Sequence, residues 1–286
     1  MSIKDLTVCI RSSGEFTTKR LLKDLVYQIG SNKKIHLIED LTLHNAIDQS
    51  FAYALKDKST WLITIDADLV IKSNFLDIFS KIANSMKAKE IEAHAMTADR
   101  LFMKYRSAGN RLYRVEAIPI LRQLLKKTKK NIRPEGTMLR EAVKLGYKIK
   151  PINEVVALHD FFQYSRDLFR KGYLCSFKHS QNSSEYLSNW RYLAKDSVDF
   201  AILLRGFSFG LISGEKPTDN FKSGIFKTHC DELSREFKEY DANLHIYDNI
   251  EKYIYEVADK EYFNSYNPGL IMKLIKFINW RYFAKK

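Results

Sequence analysis

The sequence predicts an α/β fold, with a mostly parallel sheet over residues 1–165 and a mostly helical region over 166–286. Three observations predict it. Short apolar runs rich in β-branched residues, at 6–10, 35–38 and 61–65, alternate with stretches whose apolar residues recur at helical spacing. The third run ends in Asp66-Ala67-Asp68, two carboxylates separated by one small residue. From about Gln163 onward the strand-like runs stop.

Taken in order, residues 6–10 read as a first strand and 11–15 as a polar turn containing Gly14. Thr17 or Thr18 is positioned to cap a helix that runs to Val26, and Gly30-Ser31-Asn32 breaks the pattern that follows. A second strand at 35–38 ends in Glu39-Asp40, and a helix covers 43–55. The run at 61–65 follows the turn at Asp57-Lys58-Ser59. Strand, helix, strand, helix, strand implies right-handed crossovers and parallel pairing. Beyond it come a helix at 74–86, a strand at 92–96, a loop at 108–114 entering a strand or turn, and a helix at 117–125. A lysine-rich loop at 126–133, a helix at 137–145 stopped by Gly146, and two short strands at 147–151 and 155–159 complete the α/β part. Helices are expected at 165–173, 190–206, 225–240, 249–257 and 268–283.

Composition narrows the function. The chain has 286 residues and is 45% hydrophobic, enough for a substantial core. No apolar run reaches the roughly 18–20 residues that span a bilayer, and no signal-peptide core follows Met1. Cys9, Cys175 and Cys230 are far apart, which argues against a disulfide framework or a zinc knuckle and fits a reducing cytoplasm. The net charge of +13 calls for an acidic partner. Basic residues concentrate between Arg122 and Arg133 and in the tail after Glu261.

An isolated D-x-D occurs on the order of once by chance in a chain this long, so its setting decides its meaning. At the carboxyl end of a buried strand, where open α/β sheets bind ligands, two acids suit a hard divalent cation bridging phosphate oxygens.

The order of these features resembles a glycosyltransferase of the GT-A fold, close to the family 2 type. The resemblance rests on the strand and turn from Thr7 to Glu15, the acids Glu39-Asp40, His44-Asn45-Ala46 at a helix start, and the apolar strand ending in Asp66-Ala67-Asp68. It continues through Gly109-Asn110-Arg111-Leu112-Tyr113-Arg114, Glu135, Gly146-Tyr147-Lys148-Ile149 and His159, and so covers roughly residues 5–162. It implies a metal-dependent transferase that moves a sugar from a nucleotide-sugar donor, with a UDP-sugar first among donors, to a glycan or lipid-linked acceptor in surface-polysaccharide synthesis. It also implies roles. Asp68 ligates Mn²⁺ or Mg²⁺, Asp66 reaches the metal or the ribose, and His159 contacts the metal or the diphosphate. Arg11, Ser12, Glu39, Asp40 and Asn45 line the nucleotide pocket. Arg111 and Arg114 meet acceptor or diphosphate. Glu135 is the base of an inverting transfer, although Pro134-Glu135 stands where the family carries an acidic pair ending in Asp.

The tail at 268–286 has an apolar aromatic face and only cationic charges, the profile of a helix lying on an anionic leaflet. The expectation is a cytoplasmic protein, peripheral on the inner face of the membrane. Two other readings compete. One is a nucleic-acid-binding protein, which the charge suits but for which no binding motif appears, so no nucleic acid is expected. The other is a catalytically inactive GT-A scaffold, which the unusual Pro134-Glu135 pair suits.

Overall fold

The structure is a computed structural model and describes residues 5–30, 34–129, 131–178, 183–213 and 224–243. The helices expected at 249–257 and 268–283 lie outside the described residues. In chain order the first part comprises β1 (Leu6–Ser12), α1 (Thr18–Ile29), β2 (Ile35–Glu39), α2 (Leu43–Lys56), β3 (Trp61–Asp66), β4 (Leu69–Ile71), α3 (Phe75–Ser85) and β5 (Glu90–Asp99). There follow β6 (Lys104–Ser107), β7 (Asn110–Arg114), α4 (Ile118–Lys126), α5 (Pro134–Lys144) and β8 (Lys148–His159). The helical part comprises α6 (Ser165–Lys178), α7 (Ser183–Leu193), α8 (Val198–Ser213), α9 (Gly224–Glu236) and α10 (Lys238–Asn243).

The strands form one sheet in the order β2-β1-β3-β7-β5-β8-β4, with β6 beside β5. β1 pairs in parallel with β2 and β3, as the alternation of strands and helices predicts. β7 enters antiparallel between β3 and β5, and β8 lies parallel to β5. Thus β1, β2, β3, β5 and β8 share one direction, while β4, β6 and β7 oppose it.

Alternation along the strands builds two cores, one on each face. Val8, Ile10, Ile63, Ile65 and Leu112 pack with residues of α1 and α3. Cys9, Leu62 and Tyr113 point the other way and pack with α2, α4 and α5. A sheet covered on both faces needs strands that are apolar throughout, which is why 61–65 reads as an unbroken apolar run.

Several boundaries differ from expectation, each for a local reason. Thr17 precedes α1, but its hydroxyl donates to the carbonyl of Ala67 (2.5 Å) instead of capping the helix. α5 begins at Pro134, three residues before the predicted start, because proline fits the first helical turn, where its missing N–H is no loss. The two strands predicted at 147–151 and 155–159 are the single strand β8. Its register against β5 slips from Ile152 to Val155, leaving the polar pair Asn153-Glu154 out of the ladder. The helix predicted at 190–206 is divided between α7 and α8 by a turn over 194–196, where Asp196 and the following Ser197 are residue types that favour helix starts. β4 and β6 carry too few residues, or too much charge, to be read as strands from sequence.

The helical part has its own core of Phe169, Trp190, Phe200, Leu203 and Phe207. Its closest contact is between α6 and α8. A Cβ on Gly172 would overlap the carbonyl oxygen of Leu203, and a Cβ on Gly206 would overlap that of Phe169. The two backbones therefore touch, and glycine is required at both positions. α6 is anchored to the sheet part by Arg170, whose guanidinium bonds Glu15 (3.2 Å), and by Arg166, which donates to the carbonyl of Gly14 (2.9 Å).

Candidate active site

The carboxyl ends of β1 and β3 open onto a cavity of about 300 Å³. Arg11, Ser12, Asp66 and Asp68 line its floor. Leu41 to His44, at the start of α2, form one wall, and Lys129, Asn131 and Pro134 another. Arg170, Leu174 and Lys178, spaced four residues apart on α6, form a third. The acidic pair is held by its backbone. The N–H of Asp66 donates to the carbonyl of Gly109 (2.7 Å), and that of Ala67 to the carbonyl of Arg11 (2.9 Å). Gly109 has a φ of 66°, in the left-handed region that favours glycine.

Behind the floor lies a network of buried charge. Arg11 bonds Asp66 through Nε (2.8 Å) and Nη2 (2.7 Å), and Glu135 through Nη1 (3.0 Å). The other oxygen of Glu135 lies 3.0 Å from Nε of Arg111, whose Nη1 meets the fully buried Glu92 at 2.7 Å. The hydroxyl of Tyr113 donates to Glu135 (2.7 Å). Burial opposes the charge on Glu135, but Arg11, Arg111 and the Tyr113 hydrogen bond prevail and hold its carboxyl down to about 2. Burial, with the charges of Asp68 and Glu135, pushes Asp66 up against the pull of Arg11.

A second cluster forms where β4 pairs with the end of β8. The register Leu69↔His159 brings Asp68 beside His159 and Asp160. Oxygens of the two carboxylates and a ring nitrogen of His159 all lie within 4.8 Å of one another. Nδ1 of His159 faces Asp99 (2.9 Å) and Asp160 (3.0 Å), and Nε2 faces Oδ1 of Asp68 (3.6 Å). Asp99 is itself held by Arg106 (2.5 Å). Burial disfavours the imidazolium, but Asp160, Asp68 and Asp99 together raise the His159 pKa well above its usual value. Asp160 sits at a φ of 65°, a left-handed backbone that a non-glycine residue adopts at a cost of about 1–3 kcal/mol and that concentrates at functional sites.

This donor set fits a divalent cation. Oδ1 of Asp68 is buried without a hydrogen-bond partner, which is costly unless something else meets it. Two carboxylates and an imidazole suit Mn²⁺, and the Asp99 carboxylate behind the imidazole is the arrangement that orients metal-binding histidines.

The structure thus gathers Arg11, Ser12, Asp66 and Asp68 at the cavity, places His159 against Asp68, and puts Arg111 and Glu135 behind Arg11. Other expected residues fall elsewhere. Glu39 and Asp40 are exposed just before the cavity wall. Asn45 is exposed as well, and its backbone N–H is taken by the capping hydroxyl of Thr42 (3.2 Å). Arg114 is a correction. It pairs with Trp61, the first residue of β3, so it lies at the opposite end of the strand from Asp66. There its guanidinium covers the Trp61 ring at 4.6 Å and donates to carbonyls of Met86 and Lys87. Sequence reasoning missed Tyr113, Glu92, Asp99, Lys171, Arg170 and Lys178. Asp160 carried a signal, being next to His159; the others reach the site through register or helix docking and carry none.

No family model and no curated protein matches the chain. Among solved structures it is similar to a glycosyltransferase involved in glycosylation of the major capsid of PBCV-1, at 12% identity and a TM-score of 0.41, covering 54% of this chain and 92% of that one. It is also similar to a mannosyltransferase from Pyrobaculum calidifontis in complex with GDP-Man and Mn²⁺, at 9% identity and a TM-score of 0.40, covering 90% and 86%. A third is a nucleotide-diphospho-sugar transferase, so described, from Desulfovibrio desulfuricans G20, at 10% identity and a TM-score of 0.36, covering 74% and 98%. Likeness at these levels concerns the course of the chain and carries nothing about chemistry.

Proposed function

We propose that the protein is a metal-assisted glycosyltransferase that takes its sugar from a nucleotide-sugar donor, a UDP-sugar first among them, and passes it to a glycan or lipid-linked acceptor in surface-polysaccharide synthesis. The observation that carries this reading is the convergence of Asp68, His159 and Asp160 beside a cavity that Arg11, Arg170 and Lys178 also line. A carboxylate and imidazole set for a cation, next to cationic side chains, suits a diphosphate. Arg170 is already paired with Glu15, whereas Lys178 is held below its usual pKa by burial and by the nearby charges of Arg133 and Arg170. Lys178 is therefore a wall residue that gains from a bound anion.

In this reading Asp68, His159 and Asp160 hold Mn²⁺ or Mg²⁺, which when bound stabilises negative charge on the departing nucleoside diphosphate. Arg11 keeps Asp66 oriented at the floor. Glu135, expected from sequence to take the acceptor's proton, has both oxygens engaged and a depressed pKa, which makes it a weak proton acceptor. We assign it instead the task of holding Arg11 and Arg111 in place.

The engaged state of Glu135 also favours a second reading, a binding scaffold of the same fold without transfer activity. A donor screen separates them. Sugar nucleotides are added to the purified protein with Mn²⁺, and thermal stability and release of nucleoside diphosphate are both read. Stabilisation with release supports the transferase, and stabilisation without release supports the scaffold. No stabilisation by any sugar nucleotide overturns both. Attachment to an anionic leaflet through residues 268–286 is part of the proposal. Among the described residues no helix is long and apolar enough to cross a membrane.

A further inference from the structure

We propose that Lys171 is the resident cation of the Asp68–Asp160 pair and must leave it before a divalent ion can bind; the inference rests on the metal-assisted reading above. The ammonium of Lys171 lies 2.6 Å from Oδ2 of Asp68 and also contacts Oδ1 of Asp160. These carboxylates are two of the three groups that would hold the ion. The lysine side chain is only 14% exposed, so water screens it poorly. A divalent ion on Asp68 and Asp160 would meet a like charge within a few ångströms in a poorly solvated site, and the two exclude each other.

The backbone offers no way to accommodate both. Lys171 precedes Gly172, the residue at which α6 lies against the backbone of α8, so the root of the side chain is fixed. Only rotation of the lysine side chain can clear the pair. Once displaced, the ammonium needs another anion. Two acids near it, Asp167 on α6 and Glu15 in the β1 turn, each meet Arg170 (3.5 and 3.2 Å), but Oδ2 of Asp167 is buried without a hydrogen-bond partner. That oxygen, or an anionic ligand in the adjoining cavity, can receive it. Lys171 therefore competes with the metal for Asp68 and Asp160, and the bare ion binds weakly.

The test measures Mn²⁺ binding to the full chain without nucleotide, by loss of the free Mn²⁺ paramagnetic resonance signal. Lys171→Met is expected to tighten binding by about tenfold or more, the gain from removing one charge-assisted competitor. Lys171→Arg retains the charge and stays at the wild-type level, and Asp68→Asn loses binding. Circular dichroism confirms folding, with Lys171→Gln as the second variant if Lys171→Met is unstable. Equal or weaker binding in Lys171→Met, with wild-type binding that still depends on Asp68, overturns the inference and leaves the metal site standing. Absence of Mn²⁺ binding in both wild type and Lys171→Met overturns both.

Discussion

Glu135 and Arg11, 124 residues apart in the chain, are joined by a hydrogen bond of 3.0 Å between a carboxylate and a guanidinium that are both almost wholly buried. The pair ties the floor of the cavity to the helix that starts at Pro134. Removing one member of a buried, hydrogen-bonded charge pair costs about 3–5 kcal/mol, because the other is left uncompensated. Glu135→Ala should lower stability by that order in urea denaturation, and Glu135→Gln by less, since an amide still accepts from Arg11 and Tyr113. If Glu135 holds the arginines, sugar-nucleotide affinity falls together with transfer. A variant that binds donor normally but transfers nothing would restore the role of base.

The same residue sets a pH dependence. Its folded pKa of about 2 lies below the unfolded value of 4.5. Between these values the unfolded chain binds more protons than the folded one, so stability falls as pH falls. The contribution is whole above about pH 5 and lost as the pH approaches 2. Asp160, also held to about 2, adds to it. Urea midpoints measured from pH 7 down to pH 3 should drop more steeply in the wild type than in Glu135→Gln.

Asp99 is predicted to act through His159. It touches none of the other candidate ligands, but it accepts from the imidazole and so directs Nε2 toward Asp68. Replacement of such a supporting carboxylate typically costs about 10–100-fold in metal affinity. Asp99→Asn should weaken Mn²⁺ binding by that order in calorimetry. Unchanged affinity would remove Asp99 from the site.

The glycines of α6 and α8 give a packing test. Gly172→Ala and Gly206→Ala each push a methyl into a carbonyl, where no flexible side chain can yield, and should cost about 1–3 kcal/mol or more. Gly136→Ala in α5 is the control. Its nearest neighbour is the flexible end of Arg140 at 3.9 Å, and the gain in helix propensity should stabilise by up to about 1 kcal/mol. Thermal unfolding of the three variants orders them.

Much of this was legible in the residues. The apolar run before Asp66 fixes a covered strand, and its end places the acids where ligands bind, because period-2 burial and the geometry of parallel sheets are local facts. His159 also stands at a strand end in the sequence, but its expected role rests on the order of motifs that resembles the family. What could not be read depends on long-range docking. Arg114 and Arg111 are three residues apart, yet one lies at the site and the other at the far end of β3, and only the antiparallel register of β7 decides which. Lys171 looks like any solvent-facing helix lysine until α6 is placed against the sheet. Glu135 is an acid at a helix start in the sequence, and becomes an anchored partner of two arginines once β1 and β7 are set on either side of β3.

The third wall of the cavity comes from a helix that composition would assign to an appendage. Because α6 contributes Lys171, Arg170 and Lys178, and because its height is set by glycines on both sides of the α6–α8 seam, the first 165 residues alone lack one wall of the cavity. A cut after residue 165 would remove the Lys171 ammonium and leave His159 as the cation between Asp68 and Asp160. A graft of a different helical region onto this sheet would rewrite the pocket itself, so ligand preference can change through a part of the chain whose described residues form helices and no strand.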